Sequence, residues 1–503
     1  MSLSIINTRA QFGVDAPRVT VETHLSNGLP SLTMVGLPEM AVRESKERVR
    51  SALINSGFDF PTRRITINLA PADVPKQGGR YDLAIAIGIL VATGQIQSEQ
   101  IQAFEFVGEL ALTGELRPVS GVLPTAIACS KQGNTLFIAK ENETEAALSD
   151  HDKVFAATHL NEICQHIAGQ QYLTPTTLDR LAIQDSFLPD LDEVKGQSQA
   201  RRALEVAAAG RHNLLFYGPP GTGKSMLAAR LPGILPNLSN DEAVEVASIY
   251  SLTGNPRDSD QLFSAPFRSP HHTASSVALV GGGSHPSPGE ISLAHRGVLF
   301  LDELPEYGRA VLEVLREPIE SGEIRISRAN AAITFPARFQ LLAAMNPCPC
   351  GFSGHPKVAC TDTPQQIQNY RKKLSGPLLD RFDLHVEVAF QSGSVLLGKS
   401  APAESSALVY ERVLQARQRQ LTRQHKLNSE LKPSELEHFC ALQPQAQNML
   451  ERAMDRLALS ARGAHRVIRV ARTLADLSGD EQLDITHLGE ALAYRGLDRQ
   501  SGV

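Results

Sequence analysis

The stretch LLFYGPPGTGKS, Leu214 to Ser225, decides how this chain is read. Four apolar residues, Leu214, Leu215, Phe216 and Tyr217, predict a buried strand. The strand stops at Gly218-Pro219-Pro220-Gly221-Thr222-Gly223, and Lys224 and Ser225 follow. This is the phosphate-binding pattern G-x-x-x-x-G-K-[ST]. Its glycines let the backbone curl around a triphosphate with amide hydrogens pointing inward. Lys224 can then reach its β- and γ-phosphates, and Ser225 can ligate Mg2+. A helix predicted from Met226 to Leu231 would turn its positive end to the anion.

Downstream, Asp241 to Ser251 reads as a helix, and FRSPHHTASSVALVGGGSHPSPGEISLAHRG reads as a mobile loop because of its glycine and proline punctuation. The adjacent His271 and His272 should point to opposite faces of an extended segment. A hydrogen-bonding role is therefore expected of them rather than joint ligation of one metal. A second buried strand, Val298 to Leu301, ends at Asp302-Glu303. Such a Walker B element needs one carboxylate, Asp302, for a magnesium-bound water and a second, Glu303, to polarise the attacking water. Alternation through Ile324 and Ile326, a polar turn at Arg328-Ala329-Asn330, then Ile333 and Phe335 predict a β-hairpin before a strand from Phe339 to Met345.

Cys348 and Cys350, then Cys360 with His355 between, have the look of a zinc knuckle completed by Asp362 or His355. The alternative is three partly buried free thiols. The tract SGPLLDRFDLHVEV closes this region with a strand from Leu384 to Phe390. From about Gly393 the chain turns helical and Arg-rich, with helices predicted at Ser405–Leu427, Pro433–Ala441, Pro444–Ala461, Ala464–Leu477 and Thr486–Arg495.

Upstream, residues 170–191 are polar and Pro-punctuated and read as a connector. Before them, alternating stretches (Val19, Val21; Ile65, Ile67, Leu69) mix with a helical one, Ala41 to Ile54, as in a separate α+β domain. At 503 residues the chain exceeds one core and implies about three domains. A net charge of −5 excludes a globally basic nucleic-acid surface, leaving only a localised channel or stripe. Six scattered cysteines suit a reduced, cytosolic setting rather than a disulfide scaffold. The longest apolar run, Leu83 to Val91, is too short for a bilayer, so a cytoplasmic protein with no membrane partner is expected.

Several segments carry a family resemblance. VGLPEMAVRESKERVRSAL, LAPADVPKQGGRYDLAIAIGIL and VGELALTGELRPVSGVLPTAIA resemble the Lon proteolytic domain, a fold shared with a small-subunit ribosomal protein. Where Lon has its serine and lysine, this chain has Arg80 and Thr125, so the resemblance implies a non-catalytic module. Arg80 and Asp82 are expected to form an ordinary ion pair. The nucleotide region resembles AAA+ ATPases, which implies Val194 to Gln197 beside the adenine and Asn346 as the sensor-1 residue. The hairpin resembles the pre-sensor-1 insertion of the clade holding magnesium chelatase and minichromosome-maintenance helicases. Arg325 and Arg328 near its tip would touch DNA backbone in a ring pore.

Arg381 matches the arginine finger of that clade, acting on a neighbour's nucleotide. An intramolecular contact of Arg381 with Asp380 or Asp383 is the alternative. Arg462 fits sensor 2 with Arg466 as its rival, and Arg469 and Arg472 read as solvated or interface charges.

PHHTAS, GGGSHPSPGEISLAHRGVLFLDELPE and SGPLLDRFDLHVEV extend the resemblance along nearly the whole chain, to the ComM/YifB family of magnesium-chelatase-like ATPases. It implies an α/β fold in which an α+β Lon-protease-like domain (residues 1–170) and a linker (171–190) precede an AAA+ P-loop core (191–392) and a helical lid (393–503). It also implies a hexameric homo-oligomer that uses ATP and Mg2+ to drive branch migration on single-stranded or branched DNA, in homologous recombination and natural transformation. The alternative is a magnesium-chelatase-like ATPase remodelling a protein or metal-insertion partner. A protease is denied by Arg80 and Thr125.

Overall fold

A computed structural model of the chain describes residues 3–36, 39–177, 188–283, 286–328, 331–391, 403–457 and 459–497. The first of these build β1 (Leu3–Arg9), β2 (Arg18–Ser26), β3 (Ser31–Val35), β4 (Arg64–Ala70) and β5 (Phe104–Phe106). A short antiparallel pair follows, β6 (Glu109–Leu110) and β7 (Leu116–Arg117), and then β8 (Thr135–Ala139) and β9 (Val154–Ala157). Apart from the short pair, these strands form one sheet in the order β3-β4-β2-β1-β5-β8-β9.

Strand β2 has the period-2 pattern of a sheet with one covered face, burying Val19, Val21, Thr23 and Leu25. The helix Asp82–Thr93 lies on the sheet with ten of its residues buried and ends at the left-handed Gly94. Each large aliphatic side chain so covered contributes about 1.5–3 kcal/mol. The helix expected at Ala41–Ile54 runs from Met40 to Asn55.

The expected ion pair between Arg80 and Asp82 is not formed. Asp82 is buried and takes Arg48 (2.7 Å) and Ser45 instead. Arg80 turns the other way and donates to Thr125 Oγ1 at 3.0 Å. Asp82 opens a helix whose first turn faces the helix Met40–Asn55, and that places Arg48 within reach.

The second sheet is parallel throughout, in the order β11-β14-β17-β10-β18. Its strands are β10 (Leu214–Tyr217), β11 (Phe267–Arg268), β14 (Val298–Leu301), β17 (Gln340–Met345) and β18 (Leu384–Glu387). All four residues of β10 and of β14 are buried, as continuous apolar runs with both faces covered require. β10 lies between β17 and β18, so the loop after it opens where strand carboxyl ends gather.

The stretch read as a mobile loop contains ordered pieces: the helix Ser276–Val280 and the pair β12 (Gly281–Gly282) with β13 (Ser287–Pro288). The expected hairpin is present as β15 (Glu323–Arg328) and β16 (Ala331–Pro336), paired antiparallel as a sheet of their own. Ile324, Ile326, Ile333 and Phe335 face inward, while Arg325 is exposed. The expected turn at 329–330 and the Arg328 side chain lie outside the described residues. Phe12 and Val14, from the turn between β1 and β2, pack on the same cluster. Gly13 sits there at φ +58°, and a Cβ on it would come within 2.6 Å of Ile333 Cγ2.

Five helices, Ser406–Gln424, Pro433–Phe439, Pro444–Leu457, Ala461–Ser478 and Ile485–Ala493, close the described chain. They share one apolar core with the helix Ser198–Gly210 and one face of the parallel sheet. The helix expected to run on to Ala461 is described over Pro444–Leu457, and residues 459 and 460 are no longer helical. Ser460 caps the next helix by accepting from Gly463 N–H.

Arg472, expected as a solvated or interface charge, is buried within its own chain. It pairs with Asp476 and donates to the carbonyls of Asp480 and Glu481. Arg469 is partly buried as well. No described helix is long and apolar enough to cross a membrane.

Candidate nucleotide site

The end of β10 runs into Gly218 at φ +157°, and a Cβ there would meet Val388 O at 2.3 Å. Gly221 (φ +74°) and Gly223 (φ +89°) complete a turn that only glycine adopts without strain, and neither has an atom within 4 Å of an added Cβ. The helix begins at Lys224, two residues earlier than expected, and ends at Ala228. Gly223 in the left-handed conformation serves directly as its N-cap.

Lys224 Nζ folds back on the loop and donates to Gly218 O (2.7 Å), Pro219 O (2.8 Å) and Asn346 Oδ1 (3.2 Å). Burial lowers its pKa to about 8, against the opposing pull of Asp302 and Glu303. Thr222 Oγ1 donates to Pro219 O. Pro220 packs against Gly351, and Gln197, itself at φ +54°, donates to Thr222 O and Ala389 O, so the Val194–Gln197 segment flanks the loop.

Ser225 Oγ donates to Asp302 Oδ2 at 2.5 Å, and Asp302 Oδ1 accepts from Glu303 N–H. Glu303 has φ +51°, a sparsely populated conformation for a residue with a side chain. These oxygens fit Mg2+, a hard cation held by hydroxyl and carboxylate groups. The three acceptors now occupied by the Lys224 ammonium are what an incoming phosphate would replace.

One contact at the site has no local signal in the sequence. His272 Nδ1 lies 3.1 Å from Glu303 Oε2. His271 and His272 do not diverge as expected, and their ring centroids are 4.2 Å apart. The segment turns here: Tyr307 donates to Pro270 O, and Thr273 N–H donates to His271 Nδ1. The signal for His272 was its place in PHHTAS, but nothing local pointed from that segment to Asp302-Glu303.

The sheet thus gathers Lys224, Ser225, Asp302, Glu303 and Asn346 at one edge, and Arg381 is engaged elsewhere. Its guanidinium meets Glu320 Oε1 (2.6 Å) and Pro377 O (2.5 Å), not Asp380 or Asp383. Asp383 takes Arg466 at 2.8 Å, and Arg466 also donates to Arg381 O. Burial alone would raise the Asp383 pKa, but Arg466 and His212 hold it well below the usual carboxylate range. Arg466 is therefore committed within its own chain, whereas Arg462 is exposed at the first turn of Ala461–Ser478.

The cysteine cluster resolves the choice of its fourth member. Cys348, Cys350, Cys360 and Asp362 converge, while His355 turns away, packs on Phe352 and Phe390, and accepts from two backbone amides.

Three family profiles match in sequence along the chain. "Magnesium chelatase, subunit ChlI" covers residues 190–395, "Subunit ChlI of Mg-chelatase" covers 21–142, and "Magnesium chelatase, subunit ChlI C-terminal" covers 403–495. The chain is 52% identical over 506 residues to the competence protein ComM of Haemophilus influenzae, spanning 99% of this chain and 98% of that protein. It belongs to the ComM/YifB family. The YifB protein of Escherichia coli is 51% identical, also over 99% of this chain and 98% of its own length. The magnesium-chelatase 38 kDa subunit of Cereibacter sphaeroides is a more distant member of the wider group, 27% identical over 39% of this chain and 57% of its own. Membership of this AAA+ group assigns the parallel sheet and its glycine loop to a nucleotide-using, ATPase-type domain.

Proposed function

We propose that the chain is one subunit of a hexameric ATP-driven motor that promotes branch migration of DNA during homologous recombination and natural transformation. The observation that carries the reading is the convergence of Lys224, Ser225, Asp302, Glu303 and Asn346 on one glycine loop. The near full-length likeness to a competence protein supports the DNA part.

In this reading the amides of Gly218 to Gly223 cradle the triphosphate, and Lys224 leaves its three acceptors to pair with the β- and γ-phosphates. Ser225 and Asp302 would hold Mg2+, whose chemistry there would be to offset charge on the phosphoryl oxygens. Glu303 orients the attacking water, Asn346 fixes its other side, and His272 is a positioning residue for Glu303. Arg462 reaches the γ-phosphate from the lid. Arg381 exchanges Glu320 for the nucleotide of an adjacent subunit, which makes hydrolysis depend on assembly. Arg325 on the exposed hairpin face, with Arg328, touches DNA phosphates. The segment of residues 1–170 is a non-catalytic module, because Arg80 stands where the serine nucleophile would be needed and Thr125 where its activating lysine would be.

The test is ATP turnover with and without a synthetic four-way junction. The motor predicts stimulation that fades steeply between low and moderate salt and is reduced in Arg325→Ala. Turnover indifferent to any DNA would contradict it and favour a chelatase-like remodeller of a protein partner.

A further inference from the structure

Beyond β17, Asn346 and Pro347, the chain reads Cys348-Pro349-Cys350, and ten residues later Cys360-Thr361-Asp362. The loop between folds back so that two hooks of the same spacing face each other. The three Sγ atoms lie 3.4, 3.5 and 3.7 Å apart, and Asp362 Oδ2 is 3.9 Å from Cys360 Sγ. All four ligand atoms fall within 4.8 Å of one another. Thiolates at the corners of a tetrahedron around Zn2+, with Zn–S near 2.3 Å, would be separated by about 3.8 Å. The observed triangle is close to that size and far wider than a disulfide bond of about 2.05 Å.

We propose that Cys348, Cys350, Cys360 and Asp362 form a structural zinc site. Three sulfurs and one carboxylate are a borderline-soft set that suits Zn2+ and excludes Mg2+ and Ca2+, which want oxygen throughout. Four protein ligands leave no open position, so the site holds the fold rather than performing chemistry. Its supporting hydrogen bonds are already in place: Ser353 N–H donates to Cys348 Sγ at 3.2 Å, and Cys350 N–H donates to Asp362 Oδ2 at 2.8 Å. Binding turns three thiols into thiolates, releases three protons to solvent and leaves the oxidation state of every sulfur unchanged.

The position gives the ion a purpose. Gly351, at φ +85° between the two hooks, packs under the phosphate loop, where an added Cβ would come within 2.8 Å of Pro220 Cδ. Thr363, next after the second hook, caps the helix Pro364–Lys372 in a capping box with Gln366. A metal here ties the strand that carries Asn346 to that helix, beneath the loop that carries Lys224. The inference concerns a site distinct from the ATP pocket and stands whether or not the motor reading does.

The test is elemental analysis of the untagged full-length protein purified without chelator, with Co2+ substitution as the spectroscopic probe. One zinc per chain is expected in the wild type, background zinc in C350S/C360S, and one zinc again in D362C. In the wild type, Co2+ should give the intense visible bands of a tetrahedral ion together with sulfur-to-cobalt charge transfer, and Zn2+ should displace it. This readout does not depend on the folding of any variant. Background zinc in the wild type, undiminished zinc in a folded C350S/C360S, or an octahedral cobalt spectrum would each overturn the site. So would fewer than the six thiols of the chain titrating in the denatured wild type, since the cysteines would then be in disulfides.

Discussion

Two basic side chains, Lys224 at the phosphate loop and Arg80 under the N-terminal sheet, are almost equally hidden, with 8% and 4% of their surface exposed. Exposure alone does not distinguish them. Their neighbours do. Lys224 is held by three oxygens beside a glycine loop with open space at Gly221 and Gly223, and Ser225, Asp302 and Glu303 stand next to it. Arg80 lies among Thr125 at 3.0 Å and Gln11 and Ser120 at 3.4 Å, with its Nε unpartnered and the Glu145 carboxylate favouring its charge. Burial lowers the pKa of both. One cation sits beside open space at a glycine loop, and the other is enclosed by Thr125, Gln11 and Ser120.

The sharpest way to break this contrast is at the reacting groups. Glu303→Gln should lower ATP turnover by roughly 10²–10⁴ while leaving nucleotide binding intact. Arg381→Ala should cost about a thousandfold. A mixture of the two variants should recover measurable activity, because a Glu303 from one chain and an Arg381 from the next restore one whole site. A mixture as inactive as its parts would place Arg381 in a purely internal role with Glu320.

Next in size is a pH effect at Lys224. Its pKa near 8 belongs to the protein before phosphate arrives, and a bound anion raises it. Below about pH 8 the ammonium is already formed, and affinity should be flat with respect to this group. Above it, binding must take up a proton, and the Kd for ATP should rise by up to about tenfold per pH unit. A flat Kd from pH 7 to 10 in titration calorimetry would remove Lys224 from the binding step.

The smallest effect is expected at Arg80. Arg80→Met relieves the desolvation cost of a buried cation but also removes the charge that favours the buried Glu145 carboxylate, so it should leave turnover unchanged and move stability by no more than about 1–3 kcal/mol. A loss of turnover at unchanged Tm would mean that this position works in the cycle after all.

What could be read in advance follows from where the information lies. The strands Leu214–Tyr217 and Val298–Leu301 were legible because an unbroken apolar run ending in a glycine turn or an acidic pair is a local pattern. The hairpin was legible from alternation on either side of a polar stretch. Pairings across the chain were not: Asp82 with Arg48, Arg381 with Glu320 and Asp383 with Arg466 join residues 34, 61 and 83 positions apart, with no period to announce them. The histidines failed for a different reason. The backbone turns where the spacing reads as extended, so side chains expected to diverge lie together, and His272 reaches Glu303. In the cysteine loop, spacing admitted both His355 and Asp362, and only the fold-back of the chain separates them.

The most direct measurement is movement of a synthetic four-way junction with wild type and Lys224→Ala side by side. Wild-type protein with ATP and Mg2+ should convert the junction to its branch-migrated products, and Lys224→Ala should bind the junction but leave it in place. Wild type that hydrolyses ATP yet neither binds nor moves the junction would contradict the DNA motor.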